Sequence, residues 1–382
     1  MTLPGIREMI RALVAEPSVS SPDSQLDQSN LGVIHLLAQW LESLGFRIHL
    51  QPVTPNKSNL IATLGPEGET KGLVLSGHTD TVPFDEGLWS HDPFSLTEKD
   101  GRLYGLGSAD MKSFFALALE AIRTIDSQRL RQPIIIVATC DEESTMSGAR
   151  SLETLGLPAG RYAVIGEPTL LQPVRMHKGV MMETIHVHGH SGHASNPELG
   201  ANALEGMVSV LQNLLLWRDQ LAQMHHPEFQ VPYPTLNLGA IHGGDSPNRI
   251  CGHCRAHLDF RLLPGMSVDQ LREALQHKIK DALRVHPKLK ARLEPLFDGV
   301  PPFETPAGAE IVQLCESLSG ETAKAVSFAT EAPFLTRLGL ETIVMGPGSI
   351  DQAHQPDEYL PVSHIEPAVH LIRQLIEKLC LP

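Results

Sequence analysis

The tetrad Gly77-His78-Thr79-Asp80, set at the end of the apolar run 72–76, constrains this chain more than any other stretch. A continuous apolar run of that length reads as a strand buried on both faces, and such a strand needs a sheet covered by helices. It delivers a histidine and a carboxylate onto the lip of that sheet. Ligands of open α/β sheets collect outside the carboxyl ends of strands. His78 is therefore a candidate metal ligand, and Asp80 a partner placed to orient its imidazole. A His-x-Asp pair alone is a weak signal, since His78 could equally be a satisfied core histidine.

The flanking pattern supports the sheet. Leu31, Ile34, Leu37, Leu41 and Leu44 recur at helical steps, and Gly45 ends the run. Helices are expected over 4–16, 28–44, 112–126 and 145–155, and strands over 46–50, 59–64, 72–76, 133–139 and 162–166. After Lys178-Gly179 the rhythm changes. Strands are expected at 180–190, 235–241, 254–263 and 290–296, with helices at 198–224 and 268–285. That β-α-β-β-α-β order is the split pattern of a ferredoxin-like module. From about 300 the first pattern returns, with a helix at 308–319, a strand at 342–346 and a helix at 364–380. The expected fold class is α/β: a catalytic domain with a helix-covered mixed sheet (1–178 and 297–382), interrupted by a ferredoxin-like α+β lid domain (179–296). Leu204, Met207, Val208, Leu211, Leu214 and Leu215 on the long lid helix read as core, with part of that helix facing a dimer partner.

Composition excludes some partners. A net charge of −14 argues against nucleic acid, which needs clustered Lys and Arg. No run approaches the roughly 18 apolar residues of a membrane span. The first residues lack the basic and apolar regions of a signal peptide. Five cysteines suit a reducing cytosol better than a disulfide framework, so a cytoplasmic location is expected. Nineteen histidines are too many for all to be ligands, so spacing has to choose among them.

Five pieces stand at or near expected strand ends: His78-Thr79-Asp80, Asp110, Asp141-Glu142-Glu143, Glu167 and His354. Singly, each has a plainer reading. Glu142-Glu143 resembles an acidic pair favoured by a helix dipole, and Asp110 an N-cap. Together, two imidazoles and several carboxylates suit a pair of borderline divalent cations about 3.5–4 Å apart, sharing a carboxylate. Adjacent residues leaving a strand point in different directions. One of Glu142 and Glu143 can then bind metal while the other faces the attacking water as base.

At these residues the chain resembles the dinuclear-zinc amidohydrolase and peptidase family of the aminoacylase, succinyl-diaminopimelate desuccinylase and carboxypeptidase G type. The matching motifs run through 77–83, 105–112, 141–143 and 166–168 in order and spacing, and the resemblance covers nearly the whole chain. It implies that Asp110 bridges two Zn2+ or Co2+ ions, with His78 and Glu167 completing one and Glu143 and His354 the other. It implies Glu142 as general base, Asp80 as support for His78, and His193 as a lid residue stabilising the tetrahedral intermediate, in relatives from the partner subunit. Asn248 and Arg261 would hold the substrate carboxylate, Arg261 by a bidentate fork. The implied reaction is hydrolysis of an N-acyl amino acid, with N2-acetyl-L-ornithine the expected substrate, by a homodimer serving arginine biosynthesis. The rival substrates are N-succinyl-diaminopimelate, other N-acyl amino acids and, further off, dipeptides.

Several residues are read plainly. Cys140, beside the site, is expected to pack quietly. Cys251-Gly252-His253-Cys254 resembles half a zinc knuckle without its second half, and His186, His188, His225 and His226 read as strand or surface residues. A succinyl group would need a second cationic anchor, for which Arg175 and Arg249 are available. Glu331 and Glu358 are candidates to meet a distal ammonium.

Overall fold

The computed structural model describes residues 3–68, 71–85, 87–156 and 160–382. The chain forms two compact units. The first comprises Met1–Arg175, Thr305–Lys324 and Thr330–Pro382, and the second Met176–Glu304 and Ala325–Ala329.

The main sheet of the first unit is built from β1 (Arg47–Thr54), β2 (Lys57–Leu64), β3 (Leu73–His78), β4 (Ile134–Thr139), β5 (Tyr162–Pro168), β6 (Val174–His177) and β7 (Glu341–Gly346). Their order is β1-β2-β4-β3-β5-β7-β6, and the chain passes from the first unit to the second within β6. β4, β3, β5 and β7 are mutually parallel, whereas β1, β2 and β6 pair antiparallel with their neighbours. Apart from Glu341 at the start of β7, the parallel strands are buried along their length, and period-two alternation divides their side chains between two faces. Leu73, Leu75, Ile134, Ile136, Ala138 and Val164 join the apolar cluster of the helices Ile6–Ala15, Leu31–Ser43, Lys112–Ile122 and Ile365–Leu379. Val74, Ile135, Val137, Ala163 and Ile165 are as fully buried on the other face.

Two glycines let the helix Lys112–Ile122 lie close to this sheet. A Cβ at Gly77 would fall 2.3 Å from Met111 Cε, and one at Gly166 2.1 Å from Phe114 Cγ. With no side chain at either position, the loop before the helix reaches the strand ends, and Asp110 comes with it.

In the second unit the strands Thr235–Gly243, His253–Leu262, Gly179–His188 and Lys290–Pro295 lie side by side in that order, all antiparallel. The helices Ala203–Leu221 and Val268–Ala282 bury Met207, Val210, Leu214, Leu271, Leu275 and Ile279 against Met181, Ile185, Val187, Leu258 and Phe260 of the sheet. This is the ferredoxin-like arrangement, with the first strand between the third and fourth. The long helix starts at Ala203, later than its apolar pattern suggests. Asn202 caps it by accepting the Leu204 N–H at 3.0 Å, and Pro197–Leu199 forms a separate 3-10 turn before it. A small sheet of Thr97–Lys99, Arg102–Tyr104 and Tyr359–Pro361 was not foreshadowed, because strands of three residues carry no readable period.

Candidate dimetal centre

Strand register sets the centre. His78 pairs with Thr139 across β3 and β4, and Ser76 pairs with Ile165 across β3 and β5. The carboxyl ends of the three strands are therefore level. His78 ends β3, and Glu167 is the penultimate residue of β5. Beyond β4 the chain turns through Asp141, at φ 58°, into Glu142 and Glu143. His354 follows the short turn Ile350–Gln352, itself at φ 60°.

These side chains converge around Asp110. Its Oδ1 lies 3.0 Å from His78 Nε2 and its Oδ2 3.6 Å from His354 Nε2. Glu167 Oε1 stands 3.9 Å from His78 Nε2, and Glu143 Oε2 2.9 Å from His354 Nε2. Donor atoms of His78, Asp110 and Glu167 fall within 4.8 Å of one another, as do those of Asp110, Glu143 and His354, and of His78, Glu142 and Glu143. Asp110 thus belongs to two donor sets, facing each with a different oxygen.

Neighbouring groups fix this geometry. His78 Nδ1 donates to the Asp80 backbone oxygen at 3.0 Å, which leaves Nε2 to face the carboxylates. The Asp80 carboxylate is 3.8 Å from that ring, and it accepts the backbone N–H groups of Glu142 and Glu143 at 3.2 and 3.1 Å. Asp80 therefore supports His78 through its main chain and the Glu142-Glu143 turn through its side chain. Asp141 accepts hydrogen bonds from Ser20 and Ser147, both at 2.9 Å, and pairs with Lys57. Glu358 accepts the N–H groups of Gly107, Ala109 and Asp110 at 3.0, 2.8 and 3.0 Å. It is buried behind the loop, where it holds backbone. Glu331 is buried too, and the Thr139 hydroxyl donates to it. The bonds of Asp80 to the Glu142-Glu143 turn, of Asp141 to Ser20 and of Glu358 to the loop before Asp110 span 62 to 251 residues of sequence and leave no local signal.

The electrostatics suit added positive charge. Burial, then the charge of Glu167 and Glu143, holds Glu142 well above the usual carboxylate range, with His78 opposing. Burial and Asp110 do the same to Glu167. His78 is raised despite its burial, by Asp110, Glu167 and Glu142. His354 is raised to about 9, chiefly by its hydrogen bond with Glu143. Glu167 Oε1 is buried without a hydrogen-bond partner among the described residues. Two imidazoles, clustered carboxylates and an orphaned buried oxygen form the donor set of a pair of divalent cations, whose charge would displace the imidazole protons. Cys140 takes no part. Burial pushes its thiol far up, and its backbone N–H donates to Asn59 at 3.1 Å.

The remaining candidate residues lie in the second unit. His193 is exposed, and its Nδ1 accepts the Ser195 N–H at 3.2 Å. Asn248 Oδ1 accepts the Ser246 hydroxyl at 2.6 Å. Arg261 Nε and Nη2 pair with Asp259 at 2.9 and 3.2 Å. Of the two possible extra anchors, Arg249 pairs with Asp245 at 2.5 Å, and Arg175 is buried, donating to the Thr305 oxygen at 3.2 Å.

The chain is 49% identical over 382 residues to a protein named acetylornithine deacetylase from Proteus mirabilis (strain HI4320), covering 99% of this chain and 98% of that one. Its fold matches an M20 family metallo-carboxypeptidase, Sso-CP2, from Sulfolobus solfataricus, with a TM-score of 0.77, 18% identity and 98% and 99% of the two chains covered. It also matches the YXEP protein of Bacillus subtilis, a dinuclear metal binding peptidase from the M20 family, with a TM-score of 0.67, 12% identity and 97% and 98% coverage. The profile of peptidase family M20/M25/M40 matches residues 74–378, from the strand that carries His78 to the final helix. With that match across both units and with full-length relatives of this similarity, the chain belongs to peptidase family M20/M25/M40.

Proposed function

We propose that this enzyme hydrolyses N2-acetyl-L-ornithine to L-ornithine and acetate, with two Zn2+ or Co2+ ions held by His78, Asp110, Glu143, Glu167 and His354. The observation that carries the metal assignment is Asp110, whose two oxygens face two donor sets. Near-half identity over the full length to a protein named for this reaction carries the substrate. When bound, such cations act as Lewis acids toward the amide carbonyl and acidify water.

Glu142 is the general base. Its donor atom lies within 4.8 Å of those of His78 and Glu143, a place from which a carboxylate can take a proton from the attacking water and return it to the leaving α-amine. Asp80 keeps Glu142 in place through the backbone. His193 is the donor to the developing oxyanion. Its Nδ1 accepts from the Ser195 backbone, so the neutral ring carries its proton on Nε2. Asn248 and Arg261 hold the substrate carboxylate. Arg261 is already oriented by Asp259, and its Nη1 lies outside that pair.

Residues 1–178 with 297–382 act as the catalytic domain and 179–296 as the lid. The enzyme works as a cytoplasmic homodimer in arginine biosynthesis. Val208 and Leu216 on the lid helix are 51% and 65% exposed, and Ile241 on an outer strand is 50% exposed, an apolar surface that a second copy would cover. No helix among the described residues is long and apolar enough to cross a membrane. The desuccinylase alternative needs a second anion anchor, and Arg175 and Arg249 are both engaged elsewhere. The test is a substrate panel of N2-acetyl-L-ornithine, N-succinyl-diaminopimelate, N-acetylmethionine and a dipeptide, run with added zinc and with cobalt. Preference for acetylornithine is expected, and turnover of any other member without it would refute the substrate.

A further inference from the structure

The second unit carries a cluster of imidazoles that the hydrolytic reaction does not use. His186 and His188 project from the strand Gly179–His188, and His253 from its neighbour His253–Leu262. All lie on the sheet face opposite the helices, where residues alternate with the buried Ile185, Val187 and Cys254. His253 pairs directly with His188 in the ladder. The rings stack, with centroids 4.7 Å apart for His188 and His253, 5.4 Å for His186 and His253, and 6.1 Å for His186 and His188. Nitrogen atoms of the three fall within 4.8 Å of one another.

Stacking on an exposed sheet face explains proximity alone. Two details go further. His186 Nδ1 and His253 Nε2 are hydrogen-bonded at 3.1 Å, so the two nitrogens face each other at a separation a shared metal would also accept. Nitrogens bound at about 2.1 Å to one metal are separated by about 3.0–3.4 Å for right-angled to tetrahedral geometry. The other nitrogen of His186 is also engaged, since its Nε2 lies 3.1 Å from Glu294 Oε2. A ligating histidine usually has its second nitrogen held by a carboxylate in this way, which fixes the ring and its tautomer.

We propose that His186, His188 and His253 form a surface site for one borderline transition-metal dication, Ni2+ or Zn2+, with Glu294 orienting His186. The site is separate from the hydrolytic centre in its ligands. It is also remote from Arg261, which lies on the same strand about 27 Å beyond His253 at the usual rise per residue. Burial, then Arg292, holds His186 below the usual imidazole range, and burial with His188 does so for His253. Both shifts favour the neutral, ligating form of His186 and His253. Arg292 opposes a nearby cation, and its own pairing with Glu294 at 2.6 Å partly offsets that field.

The test is calorimetric titration of Ni2+ into tag-free, zinc-loaded enzyme, with zinc content followed throughout. The wild type should take up one Ni2+ per chain with no loss of zinc. The double variant His188→Gln/His253→Gln should take up none, and Glu294→Gln should bind about 10- to 100-fold more weakly. Should the double variant not fold, His188→Gln alone should weaken Ni2+ at least about tenfold by the same reasoning. Absence of Ni2+ uptake in the zinc-loaded wild type, uptake matched by zinc release, or unchanged uptake in the histidine variants would overturn the proposal.

Discussion

The Glu358 carboxylate accepts the backbone N–H of Asp110 at 3.0 Å. The residue that faces both donor sets is thus held from behind by a side chain 248 positions away in sequence. The same carboxylate accepts from Gly107 and Ala109, so it fixes the whole approach to Asp110.

Removing that carboxylate should loosen the centre without touching a ligand. Glu358→Ala leaves three buried N–H groups without their acceptor, at about 1–3 kcal/mol for each that stays unsatisfied. The expected result is a fall in thermal stability together with reduced metal content after dialysis. Glu358→Gln keeps an acceptor and should lose less. Melting curves and metal analysis on the two variants check the order.

Asp80 makes a related prediction about geometry. Its oxygens hold the N–H groups of Glu142 and Glu143. Asp80→Ala should therefore lower kcat by about 10- to 100-fold, the range common for partners of metal ligands. Asp80→Asn presents one acceptor oxygen and should fall between that variant and the wild type. Steady-state kinetics at saturating metal separates this effect from loss of the cation.

Glu331 gives a pH signature. Burial raises its pKa to about 7, and the Thr139 hydroxyl works the other way. Below the ordinary value for glutamate, about 4.3, both folded and unfolded chains are protonated there. As pH rises toward 7, the unfolded chain loses this proton and the folded chain keeps it, so stability falls across that window. Glu331→Gln removes the titration and can still accept from Thr139. Chelator-treated wild type should therefore lose more melting temperature than the variant between pH 4.5 and pH 7. Parallel curves would contradict the assignment.

The parts of this molecule that the sequence discloses are those governed by short-range pattern. The apolar run before His78 signals a doubly buried strand, and β3 is buried at every position. The β-α-β-β-α-β rhythm after Gly179 appears as the antiparallel sheet of the second unit. Strand ends bring His78, Glu167 and the Glu142-Glu143 turn to one level because a parallel register does so geometrically. The tasks of Glu358 and Lys57 were not legible. Each depends on a partner far along the chain, and a lone Glu or Lys in a loop or strand has no periodicity to betray it. The start of the long helix was misplaced for a local reason. Apolar spacing continues upstream of Ala203, whereas the cap is set by Asn202.

The most direct test of the account is Glu142→Gln, measured for both metal content and turnover of N2-acetyl-L-ornithine. Five other side chains are assigned to the cations, so the variant should keep two metal ions per chain. It should lose the proton acceptor and with it about three orders of magnitude or more in kcat. A variant that keeps its metals and turns over acetylornithine at a near-normal rate would contradict Glu142 as the base.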